Sequence, residues 1–239
     1  MQQSENQPAG IDIALWQYSE NERDWHRWKR SLSSAELERA ATYRFERDQA
    51  SFIAGRYLLR RLLGAHTATP PSKVVLSPDE HGKLRLEDHD TPQFSLANAA
   101  GLVTVAVASG CDHIGIDCER ADVEIEEATL DSYCSQDERR WLAELPAHER
   151  ARAAVALWTL KESHLKALGV GLREDPRSVT FSWKDGVPVM ADSGERDRQW
   201  HHHLVESGSQ HVVALAACSR SEPPGIRICI FQDDSMPSE

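Results

Sequence analysis

The chain repeats itself. Gly115-Ile116-Asp117 echoes Gly10-Ile11-Asp12, Leu168-Gly169 echoes Leu63-Gly64, and Val179-Thr180-Phe181-Ser182 echoes Val74-Val75-Leu76-Ser77, each 105 positions on. Ser135-Gln136-Asp137 answers Ser34-Ala35-Glu36 at a slightly shorter offset, and residues 212–217 answer 103–108 more loosely. Several landmarks keeping one offset mark a tandem duplication. Two similar halves are then expected to pack about a pseudo-twofold axis, and the cleft between them is the natural ligand site. The 239 residues suffice for one large domain or two small ones with a buried core. The boundary falls near 111–113, which divides the chain into 1–112 and 113–239.

Each half mixes strands and helices, so the fold class predicted is α+β. In the first half, residues 10–16 read as a strand, and Ser33-Ser34-Ala35-Glu36 as a helix start continuing to about Tyr43. A longer helix is predicted over 48–63, with Phe52, Ile53, Tyr57, Leu58 and Leu62 inward and Gly64 as its stop. Short strands at 74–76 and 84–86 flank a turn at Asp79-Glu80-His81-Gly82, and further strands cover 94–108. His201-His202-His203 falls where the repeat expects a strand and reads as strand surface rather than a metal cluster. A short strand at 226–231 precedes a tail expected to fray.

Charge and cysteine usage narrow the partners. A formal net charge of −11 argues against general nucleic-acid binding. Residues 23–61 nevertheless carry ten Arg/Lys against five Asp/Glu, a basic segment suited to an anionic ligand or partner. Read singly, its arginines are ordinary solvated charges. The five cysteines show no C-x-x-C spacing and read as reduced cytoplasmic thiols. No run is long enough to span a membrane, and the polar start Met1-Gln2-Gln3-Ser4-Glu5-Asn6 lacks a signal-peptide pattern.

Two motifs carry chemistry. On a strand through Gly115-Ile116-Asp117-Cys118-Glu119, Asp117 and Glu119 point the same way, roughly 6–7 Å apart at their roots. Converging carboxylates repel unless a positive charge sits between them, and magnesium takes oxygen ligands of this kind. Two surface acids at a strand end would show the same spacing. Gly115 leaves room for a close neighbour. The second motif, Trp158-Thr159-Leu160-Lys161-Glu162-Ser163-His164-Leu165-Lys166, lies on a helix that Gly169 ends. Trp158, Glu162 and Lys166 share a stripe at spacing four, where a plain Glu–Lys pair is worth a few tenths of a kcal/mol. As a third carboxylate, Glu162 would complete the protein's share of a magnesium shell. Lys161 and Lys166 would flank it as point charges for phosphate oxygens.

Gly-Ile-Asp-x-Glu followed by Trp-x-x-Lys-Glu-Ser-x-x-Lys-x-x-Gly-x-Gly-Leu, inside a duplicated chain, resembles the large, surfactin-synthetase-activating type of 4′-phosphopantetheinyl transferase. The Arg-Phe-x-Arg-Asp…Gly-Arg stretch around 44–56 shares the likeness. The resemblance implies transfer of the phosphopantetheine arm of coenzyme A to a serine of an apo acyl or peptidyl carrier protein, releasing 3′,5′-ADP. It implies Mg2+, or Mn2+ in its place, held by Asp117, Glu119 and Glu162. Glu162 would also be the general base, either directly or through a water, and Lys166, with Lys161, would neutralise charge on the phosphoryl group. Arg39 would grip the 3′-phosphate, and the turn His81-Gly82-Lys83 the nucleotide. Without the resemblance, Arg39 reads as surface charge and Gly82-Lys83 as a hairpin turn. The family usually has Asn-x-Ser-His-Ser where this chain has Ser95-Leu96-Ala97-Asn98-Ala99. Asn98 can donate hydrogen bonds there but carries no positive charge, so Ser95 and Asn98 are expected in the coenzyme site with altered chemistry.

A cytoplasmic monomer is expected, serving secondary-metabolite or other carriers, with no nucleic-acid or membrane partner. A carrier-binding adaptor of the same fold with impaired catalysis is the alternative, and a magnesium phosphohydrolase built on the same acids a third reading. No P-loop, H-E-x-x-H or G-x-S-x-G motif is present.

Overall fold

The strand order of one sheet recurs in the other. The computed structural model describes residues 10–18, 27–79, 82–87, 92–123, 125–191, 199–208, 210–219 and 223–231. The first half runs β1 (Gly10–Gln17), α1 (Ser34–Ala41), α2 (Glu46–Thr67), β2 (Leu76–Pro78), β3 (Leu84–Leu86), β4 (Gln93–Ala99) and β5 (Leu102–Ser109). The second runs β6 (His113–Arg120), α3 (Glu127–Tyr133), α4 (Gln136–Glu144), α5 (Ala147–Leu168), β7 (Phe181–Lys184), β8 (Val187–Met190), β9 (Gln199–Val205) and β10 (His211–Ser219), and β11 (Gly225–Phe231) follows. β1 pairs antiparallel with β5 and β5 with β4; β6 pairs antiparallel with β10 and β10 with β9. The pairs β2–β3 and β7–β8 form matching hairpins. β11 adds to the free edge of β1, parallel to it.

Alternation along the strands makes three apolar layers. Ile11, Ile13 and Leu15 of β1 meet Ile114, Ile116 and Cys118 of β6 and Val213 and Leu215 of β10 between the sheets. The other face of the first sheet, with Ala14, Trp16, Val103 and Val105, takes Ile53, Leu58, Leu59 and Leu63 of α2. The outer face of the second takes α5 through Leu157, Leu160 and Leu165. Each fully buried Val, Leu or Ile among them contributes about 1.5–3 kcal/mol. The helices therefore lie outside and the sheets inside.

A duplicated ion pair ties each long helix to the short one before it. Ser33 and Ser135 both head capping boxes, closed by Glu36 and Glu138. Glu36 also takes Arg60 of α2 at 2.8 Å, and Glu138 takes Lys161 of α5 at 2.7 Å. Arg60 donates further to the carbonyls of Pro71 and Val74, and Lys161 to those of Tyr133 and Pro176. This corrects the expectation for Lys161. Its side chain is fully buried, spent on Glu138 and two carbonyls, and it flanks no phosphate site. Neighbours on a helix point about 100° apart, so Lys161 turns inward where Glu162 faces the strand.

Three smaller expectations also change. α2 continues past Gly64 to Thr67, with Ala68 in the left-handed region (φ 52°) as its cap. Gly64 serves instead the return of the chain, since a Cβ there would lie 2.5 Å from the Thr69 carbonyl. Strand structure begins at Leu76 and Phe181 rather than at 74 and 179. The three histidines do lie on a strand, β9, but His202 is buried against α5, its Nε2 3.1 Å from Nδ1 of His164. The expected tail beyond 231 lies outside the described residues.

Candidate active site

The acids of β6 lie directly beneath α5. The two backbones meet at Gly115, where a Cβ would stand 1.9 Å from the Ser163 carbonyl oxygen and 2.5 Å from the Ala167 nitrogen. Only glycine permits that approach, and it brings the helix stripe onto the strand acids. Lys166 Nζ donates to Asp117 Oδ1 at 2.6 Å, and Trp158 Nε1 donates to Glu119 Oε1 at 3.2 Å. Glu162 lies one turn from each, and the charges of Asp117 and Glu119 both act on it.

All three carboxyls have pKa values above the ordinary range. For each, burial is the largest cause; Asp117 adds repulsion on Glu119 and on Glu162, while Lys166 opposes the rise. Asp117 Oδ2 and Glu162 Oε1 are buried acceptors with no hydrogen-bond partner. Buried acceptors of this kind are costly to leave unpaired. Among the described residues no three His, Cys, Asp or Glu side chains are drawn up to hold one ion, and Lys166 is the cation standing at Asp117. The donor set nevertheless suits a hard divalent cation. It comprises two unpartnered carboxylate oxygens and a third carboxylate steadied by an indole, all on facing elements.

Lys166, bonded to Asp117, also lines a cleft between the halves. One recess of about 650 Å³ is lined by Arg56, Gly82, Lys83, Ser95, Lys166 and Arg173, among others. An adjoining recess of about 580 Å³ adds Arg39, Tyr43, Ser51 and Asn98, and shares Arg56, Gly82 and Lys166 with the first. The walls are therefore cationic on a chain of net charge −11, which fits an anionic ligand.

Most of the sequence-predicted residues gather here. Arg39 is exposed at the rim, its guanidinium 5.7 Å from the Tyr43 ring centre. Asn98 donates to the Ser51 hydroxyl at 2.9 Å. Ser95 lies at the seam of the halves, its hydroxyl accepting the Ile116 amide at 3.1 Å. Lys83 lines the cleft, with its ammonium on the carbonyls of Lys166 and Ala167. His81 lies outside the described residues. Lys161 stands apart, locked in the core.

Arg56 and Arg173 were not predicted as site residues. Arg56 is the more telling. It lies 3.7 Å from Glu36 Oε1, yet its Nε and one Nη are buried without a hydrogen bond. Burial pulls its pKa below the usual arginine value. The signal was an arginine on the inward side of an apolar helix, one turn before Arg60. Spacing could not say which of the two would face the cleft.

Comparison with known proteins gives the family. The 4′-phosphopantetheinyl transferase superfamily profile matches residues 113–216, and the 4′-phosphopantetheinyl transferase N-terminal profile matches residues 14–109. A phosphopantetheinyl transferase of Thraustochytrium sp. is 28% identical over 207 residues, covering 80% of this chain and 71% of that protein. The 4′-phosphopantetheinyl transferase HetI of Nostoc sp. is 32% identical over 147 residues, 59% of this chain and 61% of that one. The L-aminoadipate-semialdehyde dehydrogenase-phosphopantetheinyl transferase of Rattus norvegicus is 27% identical, covering 90% and 76%. Among solved structures, a holo-(acyl-carrier-protein) synthase from Bacillus anthracis superposes on 47% of this chain and all of its own, with 20% identity and a TM-score of 0.41. Both halves are matched by profiles of one enzyme group, and the chain belongs to the 4′-phosphopantetheinyl transferase superfamily.

Proposed function

We propose that the cleft binds coenzyme A with its pyrophosphate among Arg56, Lys83 and Lys166, and that Glu162 directs a carrier-protein serine onto it. The chain is a 4′-phosphopantetheinyl transferase by family. One observation carries the assignment of its centre. Two buried, unpartnered carboxylate oxygens, of Asp117 and Glu162, lie beside Lys166, which also lines the cationic cleft.

The chemistry follows from these groups. The serine hydroxyl oxygen forms a bond to the pyrophosphate phosphorus that bears the pantetheine arm. The bond from that phosphorus to the bridging oxygen breaks, and 3′,5′-ADP leaves. Glu162 takes the hydroxyl proton, a role helped by burial that makes its carboxylate more basic than usual. Lys166 offsets negative charge at the phosphoryl oxygens, and Arg56 can meet a phosphate with its unpaired N–H groups. Mg2+, held by Asp117, Glu119 and Glu162, would supply Lewis-acid charge stabilisation and a template for the pyrophosphate. Trp158 fixes the Glu119 carboxylate for that duty. Arg39 at the rim suits the 3′-phosphate. Asn98 and Ser95 can offer only neutral hydrogen bonds, so charge recognition falls to Arg39, Arg56 and Lys83.

The proposed units are 1–112, supplying the coenzyme wall, and 113–239, supplying the acids and the catalytic helix. One chain furnishes both walls, which supports a monomer. The free cysteines Cys111, Cys118, Cys134, Cys218 and Cys229 suit a reducing cytoplasm. No helix among the described residues is long and apolar enough to cross a membrane. The direct test incubates the protein with coenzyme A, Mg2+ and an apo carrier, then weighs the carrier by mass spectrometry. Gain of one phosphopantetheine with release of 3′,5′-ADP is expected. An unchanged mass across fatty-acid, polyketide and peptidyl carriers would sink the proposal.

A further inference from the structure

The end of α5 points a negative pole at the cleft. Gly169 caps the helix in the left-handed region (φ 75°), and the chain beyond it lines the recess through Val170 and Gly171. The last carbonyls of a helix lack intrahelical donors and carry about half a negative charge. Left bare, that pole would repel the phosphates that the rest of the cleft attracts. It is not bare. Lys83, from the β2–β3 turn of the other half, donates to the Lys166 carbonyl at 3.0 Å and to the Ala167 carbonyl at 3.3 Å.

The turn that delivers Lys83 is itself held. Asp79 accepts the Lys83 amide at 2.9 Å and Arg85 at 3.2 Å through its side chain, and its own amide donates to the Lys83 carbonyl at 2.8 Å. Gly82, at φ 82°, lets the chain make that bend. The Lys83 ammonium thus reaches across the cleft to the helix bearing Glu162 and Lys166. Burial pulls the Lys83 pKa below the usual lysine value, and Arg85 acts in the same direction.

We infer that Lys83 is a positioning residue, a cap donated by one half to the catalytic helix of the other. It offsets the helix pole beside the anion site and holds the turn from which Lys166 reaches Asp117. Its part in catalysis rests on the reading of the cleft as the coenzyme site; the cap itself does not. Two of its three N–H groups serve the helix, and the third can serve a ligand phosphate. This differs from a nucleotide contact in one measurable way, because the cap acts before any ligand arrives.

The experiment is hydrogen exchange on the ligand-free, full-length protein, comparing wild type with Lys83→Met and Lys83→Arg. In Lys83→Met, amides 166–171 are expected to exchange about tenfold faster, with those of β5 unchanged as a check on the global fold. Lys83→Arg keeps a donor at the carbonyls and should stay within about threefold of wild type. Titration with 3′,5′-ADP should show weaker binding to Lys83→Met, and the deficit should shrink with added salt. If ligand-free exchange in Lys83→Met equals that of wild type while 3′,5′-ADP binding falls, Lys83 is a ligand contact and the cap is refuted. If exchange accelerates but wild type modifies no carrier, the cap stands and the transferase reading fails.

Discussion

Substituting Gly115 by alanine tests the contact on which the site is built. The added methyl carbon would lie 1.9 Å from the Ser163 carbonyl oxygen, 2.5 Å from the Ala167 nitrogen and 3.0 Å from the Ser163 carbonyl carbon. These are backbone atoms of α5, so no rotamer change relieves the overlap. Ordinary contact begins at 3.4 Å, so the helix must withdraw by about 1.5 Å. Overpacking of a core costs about 1–3 kcal/mol, and a rigid backbone neighbour places this case at the upper end. The same shift stretches the Lys166–Asp117 and Trp158–Glu119 bonds, now 2.6 and 3.2 Å. Lys166 is partly exposed and Trp158 neutral, so solvent screening limits that further loss to about 1 kcal/mol. A destabilisation of about 3–4 kcal/mol follows, read from urea melts of the ligand-free protein. Turnover on an apo carrier should fall at least a hundredfold, the usual consequence of displacing catalytic groups by an ångström. Gly55→Ala is the control. There the nearest atom is the Leu96 side-chain tip at 3.2 Å, which can yield, so stability should change by less than about 1 kcal/mol. A Gly115→Ala variant within about 0.5 kcal/mol of wild type and within twofold in turnover would refute the close-approach argument.

Three other changes probe separate parts of the account. Glu162→Gln should lower kcat by about 10²–10⁴ while the protein stays folded, and near-normal turnover would remove Glu162 from the mechanism. Because Asp117, Glu119 and Glu162 have raised pKa values, their contribution is full at low pH and fades as pH rises through their ionisations. Wild-type Tm should therefore recover on adding Mg2+ at neutral pH, and Glu162→Gln should show a smaller recovery. Lys161→Met leaves Glu138 charged and buried, a loss of about 3–5 kcal/mol in a denaturant melt; unchanged stability with a raised KM for coenzyme A would return Lys161 to the phosphate site. His164 and His202, buried together with His113, His201 and His203 nearby, are held down to about 4 and about 3 from an ordinary 6.5. Depressed values hold their stability above 6.5 and lose it as pH falls toward 4, so the protein should unfold cooperatively in that window. The double variant His164→Phe with His202→Leu should flatten this acid limb, and an unaltered limb would place the acid sensitivity elsewhere.

Much of the site was legible because local geometry carried it. The period of two along β6 put Asp117 and Glu119 on one face, and spacing four on α5 put Trp158, Glu162 and Lys166 on one stripe. Both faces turn toward each other as expected. Gly169 ended its helix, whereas Gly64 did not end α2, because glycine answers equally to a left-handed turn and to a close neighbour. The repeat was visible in landmarks of that kind. The duplicated ion pairs Glu36–Arg60 and Glu138–Lys161 were not, since their partners lie on different helices and differ in residue type.

What the amino-acid order settled unaided was the two long helices, the repeated strands and the two motifs, for these depend on side-chain periodicity a few residues long. Tertiary structure decided which charges went where. Arg60 and Lys161 became buried pairs, Arg56 came to line the cleft with unpaired N–H groups, and Lys83 crossed to the far half. A charged side chain enters the core only where a distant partner repays its desolvation, and the identity of that partner is a property of packing, not of neighbours in the chain.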